Sequence, residues 1–461
     1  MRVLAVLLLA ALPVLAGCVS PPAAEVTPAS TLTGTGTATV GEDGVLHRAG
    51  GAVVPAAPDV VRAVGAQFFL GAPSSEPTIG VDPDGVVFMT GFAPGAAIRT
   101  PTVFRSADQG MTWESVGAPA HVATLDPYVY VDPATGRVFQ DDILPLGCGT
   151  ISFSDDKGET WTTNPLGCGN PQVNDHQTLV AAKPRRLATL GYENVIYRCV
   201  NNVAYPACAV SLNGGVSFLP QRPIVEELGI DPGYSGALGP LCSSLTGHLE
   251  AAPDGTVYLP MSDCTVATSP PIVAITQDDG LTWTVSTISE DFPSDEHDVG
   301  IAVDEAGNVF ALWASEGRLM LARSTDVGAT WTPAIDVTAP GVTGVAFTAI
   351  AAGAEGRIAF AYVGTNVTDG YEGKEEADDW EDATWNAYIG VITDALVDDP
   401  IVQTSTANDP ADPVARGVCG RTRCRGMTDF IEIVVDAAGR PWASFVDVCE
   451  DACEDEPMKG G

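Results

Sequence analysis

The chain has 461 residues, 45% of them hydrophobic, with 59 acidic against 22 basic side chains and a formal net charge of −37. That length and apolar content suffice for one large folded body or several small ones. So negative a balance repels nucleic acid and anionic lipid, which removes both as expected partners, keeps the chain soluble, and leaves bound Ca²⁺ as the one cofactor the carboxylates suggest.

An apolar run over residues 3–16 follows Arg2 and is too short to span a bilayer, which predicts an export signal over residues 1–17. Leu15-Ala16-Gly17-Cys18 resembles the lipobox of prokaryotic lipoproteins. The resemblance implies that Cys18 is lipidated, that the protein works outside the cytoplasm, and that it meets the membrane or envelope only through this anchor. An ordinary cleaved signal with a chance cysteine is the alternative. Residues 18–57 are expected to form a flexible linker, since their Pro, Ala, Thr, Ser and Gly, densest up to about Gly41, cannot bury a core. Residues 58–455 are the expected folded body and 456–461 a tail.

The body opens on an alternating apolar hairpin, residues 78–88, turning at Asp82-Pro83-Asp84-Gly85. Next comes Ser106-Ala107-Asp108-Gln109-Gly110-Met111-Thr112-Trp113, and the same pattern returns over residues 154–161, 276–283 and 324–331, with a degenerate copy from Ser211 through Asn213 and Gly215 to Phe218. The fixed positions are Asp108 and Trp113, Asp156 and Trp161, Asp278 and Trp283, Asp326 and Trp331. Asp and Gly suit a tight turn, and the Trp is expected to pack beneath it and pin the hairpin to its own sheet.

These residues match the Asp box, or BNR repeat, so the chain resembles the sialidase superfamily. The resemblance implies an all-β propeller of four-stranded blades, in which the boxes are structural turns away from the ligand face. Successive boxes start about 48 to 65 residues apart, near the length of one blade. Related inner hairpins begin near Thr78, Tyr128, Thr178, His248, Val299, Thr348 and Phe430. Seven blades are therefore expected, with six the alternative. The last repeat is short of outer strands, and residues 59–70 are expected to complete it and remove an exposed sheet edge.

Ten cysteines remain beyond Cys18, an even number for an oxidising compartment. Symmetry about hairpin turns pairs Cys148 with Cys168, Cys242 with Cys264, Cys424 with Cys449 and Cys419 with Cys453, leaving Cys199 with Cys208. The spacings do not form a zinc framework.

In propellers ligands usually bind on the axial face, where inner strands begin. Aligning the hairpins on their turns brings Glu76, Asp126, His176 and Asp298 to one level, with Asp175, His297 and Asp429 one residue earlier and His248 two later. Paired carboxylates could cleave a glycosidic bond, histidines with carboxylates could hold a divalent metal, and any propeller also needs polar residues around a wet channel mouth. The sialidase resemblance implies three arginines, a Tyr with a Glu, and an Asp, the first arginine in a Phe-Arg-Ile-Pro-like segment. No such segment occurs, and Arg416, Arg421, Arg423 and Arg425 cluster in one stretch before the last repeat. An acidic insertion over residues 372–382 carries Trp380 and is a further Ca²⁺ or partner candidate. The expectation is an anchored, monomeric binder of a glycan or protein, with an exo-sialidase or other glycoside hydrolase or lyase as the alternative.

Overall fold

Each inner hairpin reverses over a short turn, and in several repeats one aspartate makes it. Asp82 accepts through Oδ1 the N–H groups of Asp84 (3.0 Å) and Val86 (2.8 Å), and Asp304 and Asp436 repeat the arrangement with residues two and four further on. The buried carboxylate bonds N–H groups that the reversal takes out of the ladder.

The computed structural model describes residues 2–8, 31–33, 38–40, 46–48, 65–72, 74–93, 100–118, 126–143, 149–164, 175–202, 205–224, 246–262, 269–294, 299–366, 383–417 and 431–449. Two antiparallel strands follow each of the first six hairpins, as Pro101–Ser106 and Glu114–Ser115 follow Ile79–Val81 and Val87–Phe92. Six sheets among the described residues have four strands; the one built on Gly344–Ala352 has six. The inner strands Ile79–Val81, Pro127–Val131, Asp175–Ala182, Glu250–Ala251, Gly300–Val303, Gly344–Ala352 and Glu432–Val435 neighbour one another in that order, and the last lies against the first. The chain is an all-β propeller.

Its core lies between the sheets rather than in one place. Each apolar cluster joins two successive blades: Phe88 and Val103 meet Val129 and Val138, Phe310 and Leu312 meet Phe360, and Trp442 of the last blade meets Val87 and Met89 of the first. A blade's two apolar faces thus need both neighbours, which makes the closure between last and first blades as important as any other contact.

That closure departs in part from expectation. The last sheet runs Glu432–Val435, Pro441–Asp447, Arg2–Leu8, Gly65–Phe69. Gly65–Phe69 falls within the segment expected to complete it, but it is the outermost strand. The place beside Pro441–Asp447 is taken by Arg2–Leu8, which belongs to the expected export signal. The expected linker is likewise not wholly irregular. Thr31–Thr33 adds to the edge strand Val402–Thr406, and Ala38–Val40 pairs with Leu46–Arg48. Short Thr- and Val-bearing stretches are good strand formers, and an open sheet edge offers them unpaired backbone groups.

The box turns share one bond set. Ser106 Oγ accepts from Gly110 N–H (2.8 Å), while Asp108 accepts from Thr112 through both its N–H (2.8 Å) and its hydroxyl (2.6 Å). The turns at Asp156, Asp278 and Asp326 repeat it. Bonds from the following threonine hold the Asp156 and Asp326 carboxyls at about 2. The turn residue before each glycine is left-handed, at φ of 60, 61, 61 and 63° for Gln109, Lys157, Asp279 and Val327.

The box tryptophans do more than pin a hairpin to its own sheet: the Trp161 indole does donate to Gly158 O of its own turn (3.1 Å), but the boxes also reach the preceding blade. Gly158 lies against Val116 and Gly328 against Ile275, each on the preceding blade, where a Cβ would collide. The Trp161 indole donates to Val116 O (2.6 Å) and the Trp331 indole to Ser286 Oγ (3.2 Å), again backwards. An indole is long enough to cross the gap between sheets, so each box fastens its blade to the one before. Asp279 adds a fastening of its own, accepting the N–H groups of Arg185, Arg186 and Leu187 at 2.9, 2.6 and 2.5 Å.

Cys199 and Cys208 face each other across Val195–Asn202 and Tyr205–Ser211 and are joined as a disulfide with an S–S distance of 2.00 Å. Cys449 is also disulfide-bonded. Cys18, Cys148, Cys168, Cys242, Cys264, Cys419, Cys424 and Cys453 lie outside the described residues.

Candidate functional site

Counting back four residues from the hairpin turns at 82, 132, 252, 304, 353 and 436 gives one level around the axis, Thr78, Tyr128, His248, Gly300, Ala349 and Glu432, and Thr178 takes the same place in the third blade. Two of its threonines lock neighbouring blades in register. Thr78 Oγ1 accepts Val129 N–H at 2.7 Å, and Thr178 Oγ1 accepts Leu249 N–H at 2.8 Å.

Across the middle of this level three larger side chains meet. His248 Nδ1 lies 2.5 Å from Glu432 Oε2, and the Tyr128 ring stands edge-on to His248 with centroids 5.4 Å apart. These residues come from the fourth, seventh and second blades, which are not neighbours, so their contact spans the axis. His176 approaches His248 from the third blade at 5.9 Å. The Tyr128 hydroxyl is held by Thr178 Oγ1 at 3.4 Å. At this level side chains of non-adjacent blades therefore meet across the axis and present polar groups there.

Glu250, two residues past His248 on the same inner strand, keeps some exposure yet is surrounded by protein. Burial first, and the nearby charge of Glu432 second, push its carboxyl up to about 8. Burial, with Glu432 again adding, also moves the Tyr128 hydroxyl above the usual phenol range, which disfavours its ionised form.

The candidates expected from sequence are not all brought together. Glu76 and His176 are buried and share a left-handed backbone, φ of 49 and 51°, and His176 sits in a bulge between Asp175 and Thr178. Phe347 of the sixth blade has the same conformation, φ 51°, in a bulge between Ala346 and Thr348. Strain of this kind persists where packing over-determines it. Asp126 is half-buried, and its main-chain carbonyl takes the Gln177 amide at 2.6 Å. Asp175 pairs in the ladder with Asn201. His297, Asp298, Asp429, the arginines 421, 423 and 425 and the acidic insertion lie outside the described residues. Among the described residues no group of three or more His, Cys, Asp or Glu is placed to hold a metal ion.

Sequence reading missed Tyr128, Glu250 and Glu432, and it also missed Arg198. The Arg198 guanidinium is fully buried on Asp141, with Nε 2.6 Å from Oδ2 and Nη2 3.2 Å from Oδ1. Asp141 faces Tyr128 across the ladder of the second blade, so this arginine lies beside the axial level but is spent on an internal carboxylate. Next to it Asp142, also buried, is driven up to about 7 by burial, a Gln140 amide bond at 2.8 Å opposing and the charge of Asp141 adding.

No family model matches the chain, and no curated protein matches it. Solved structures similar to it include an intramolecular trans-sialidase from Ruminococcus gnavus in complex with oseltamivir carboxylate, at 13% identity over 83% of this chain and 95% of that one, TM-score 0.40. An α-L-arabinanase from Penicillium chrysogenum complexed with arabinobiose matches at 15% identity over 74% of this chain and 94% of that one, TM-score 0.38. The Aleuria aurantia lectin, bound to a fucosylated sugar, matches at 8% identity over 68% and 91%, TM-score 0.40. Likenesses at this level decide nothing about chemistry, which rests on the side chains above.

Proposed function

We propose that the protein binds a glycan at its axial face, and that the sugar it takes is uncharged or amine-bearing rather than a sialic acid. The observation that carries this reading is the cross-axis contact of Tyr128, His248 and Glu432, with Glu250 just beyond. Such a cluster offers hydroxyl-binding groups and ring edges, the mixture that sugar sites use. A sialic acid carboxylate calls instead for a cationic fork. Arg198, beside this level, is already paired with Asp141, and the carboxyls of Glu76, Asp126 and Glu432 make the surroundings acidic.

A second reading is favoured by one observation. Glu250 at about 8 is a protonated acid at neutral pH, and Glu432 supplies a second carboxyl nearby, which is the pair a glycoside hydrolase needs. Calorimetric titration with neutral, amine-bearing and sialylated oligosaccharides separates these readings. The binder reading expects neutral or amine-bearing sugars to bind at least about tenfold more tightly than sialylated ones, with Glu432→Gln costing about tenfold or more. Preference for the sialylated sugar would overturn it. Turnover by the parent chain that Glu250→Gln abolishes would decide for the enzyme.

We also propose that the protein lies outside the cytoplasm, anchored through Cys18 after loss of residues 1–17, so that Arg2–Leu8 occupies the last sheet only in the unprocessed chain; the lipobox-like residues and the Cys199–Cys208 disulfide support this. On fractionation the parent chain should sediment with membranes and Cys18→Ala should not. Equal partition of the two excludes the anchor.

A further inference from the structure

We infer that Asn213 is a self-modifying position, converting to aspartate by intramolecular deamidation, and that the turn around it accepts the product. Ser211-Leu212-Asn213-Gly214-Gly215-Val216-Ser217-Phe218 is the degenerate copy of the box, with Asn where the other four carry Asp. It also contains the only Asn-Gly pair in the sequence.

The amide already imitates the carboxylate. Ser211 Oγ donates to Asn213 Oδ1 (2.9 Å), Ser217 N–H donates to the same oxygen (2.9 Å), and Asn213 Nδ2 donates to Ser217 Oγ (2.8 Å). In the other boxes the last bond runs the other way, from the threonine hydroxyl to the second carboxylate oxygen, as from Thr112 to Asp108 at 2.6 Å. Replacing the Asn213 amide by a carboxylate therefore needs only rotation of the Ser217 hydroxyl. It also makes two neutral bonds charge-assisted.

Glycine on the C-terminal side is what lets the reaction proceed. The Gly214 nitrogen, unhindered by a Cβ on its own residue, attacks Asn213 Cγ; a C–N bond forms and Nδ2 departs as ammonia, leaving a five-membered imide. Water then opens the imide at either carbonyl, giving aspartate or its β-linked isomer. No oxidant or other co-reactant is required. The folded turn slows the first step, because both ends of the amide are held and Gly214 is fixed at φ 67°. Opening of the turn must precede attack. The β-linked isomer lengthens the backbone by one carbon in a turn packed so closely that a Cβ on Gly214 would collide with Tyr192 and one on Gly215 with Phe139, so the ordinary aspartyl product is the one that fits.

The test is incubation of the whole chain at mildly alkaline pH, native and in urea, followed by isoelectric focusing and peptide mapping, beside Asn213→Gln. The expected result is a more acidic form whose changed peptide contains residue 213, at least about tenfold more abundant in the parent than in Asn213→Gln, and forming faster in urea. A native sample with no conversion at this residue after the urea sample has converted fully would overturn the proposal, as would an acidic form equally abundant in Asn213→Gln. Asn213→Asp should melt at or above the parent and Asn213→Ala below it. An Asn213→Asp chain that melts below the parent would show that the turn rejects the product.

Discussion

Trp442→Ala lowers the stability of the propeller by about 3–5 kcal/mol, the cost of emptying a large aromatic site in a close-packed core. Trp442 is fully buried on the second strand of the last blade, where it packs with Val87, Met89 and Phe104 of the first. Its ring stacks at 6.4 Å on Phe68, in the strand Gly65–Phe69 that ends the same sheet. Its indole N–H donates to Asp436 Oδ2 at 3.1 Å, fastening the strand to its own hairpin turn. One substitution thus removes volume from the seam, a contact with the outermost strand and a buried hydrogen bond. Because the seam joins the end of the chain to its beginning, its loss frees the last blade before the others. Urea unfolding followed by tryptophan-independent circular dichroism checks this. The expected result is an early transition absent from the parent, with Trp442→Phe intermediate. A shift below about 1 kcal/mol would mean that closure does not depend on this contact.

Much of this architecture is legible in the sequence because it is written in local chemistry. A box turn needs Asp, Gly and Ser or Thr at fixed offsets, and residues 106–113 declare one without reference to anything distant. The hairpin turn at Asp82 is legible for the same reason. What the box tryptophans touch is not legible, since own-sheet and preceding-sheet packing present the same spacing; only the structure sends Trp161 back to Val116. The axial level is hidden differently. Glu432 and His248 come from blades that meet only across the axis, and an alignment on the turns that takes the level of Glu76 and His176 stops two residues short of them. Arg198 sits in a mostly apolar strand and Asp141 at the polar end of Val138–Asp142, and nothing local says that one answers the other across two blades. Occupancy of the last sheet by Arg2–Leu8 was likewise not readable, because an apolar run of that length suits an export signal and a buried strand equally.

Asp142→Asn makes the protein more stable above neutral pH, and the size of the gain depends on pH in a way that identifies the group. Burial raises the folded carboxyl to about 7 against an ordinary 3.8, so between those values the native state holds a proton that the unfolded chain has released. Where the native state binds more protons, stability falls as pH rises. The loss begins near pH 4, is complete just above pH 7, and for a shift of this size is on the order of 3–4 kcal/mol. An asparagine cannot titrate and keeps an oxygen for the Gln140 amide, which donates to Asp142 at 2.8 Å. Its own amide nitrogen takes the place of Oδ1, which has no hydrogen-bond partner among the described residues, and an unmet buried donor costs about 1–3 kcal/mol at every pH. The variant should therefore match or trail the parent at pH 4 and exceed it by about 1–3 kcal/mol at pH 8. The cleaner quantity is the difference between the two chains measured at both pH values, because the remaining carboxylates cancel from it. That difference should grow by about 3–4 kcal/mol across the interval. Parallel stability curves would show that Asp142 is charged in the folded protein at low pH, and that a partner for Oδ1 exists after all.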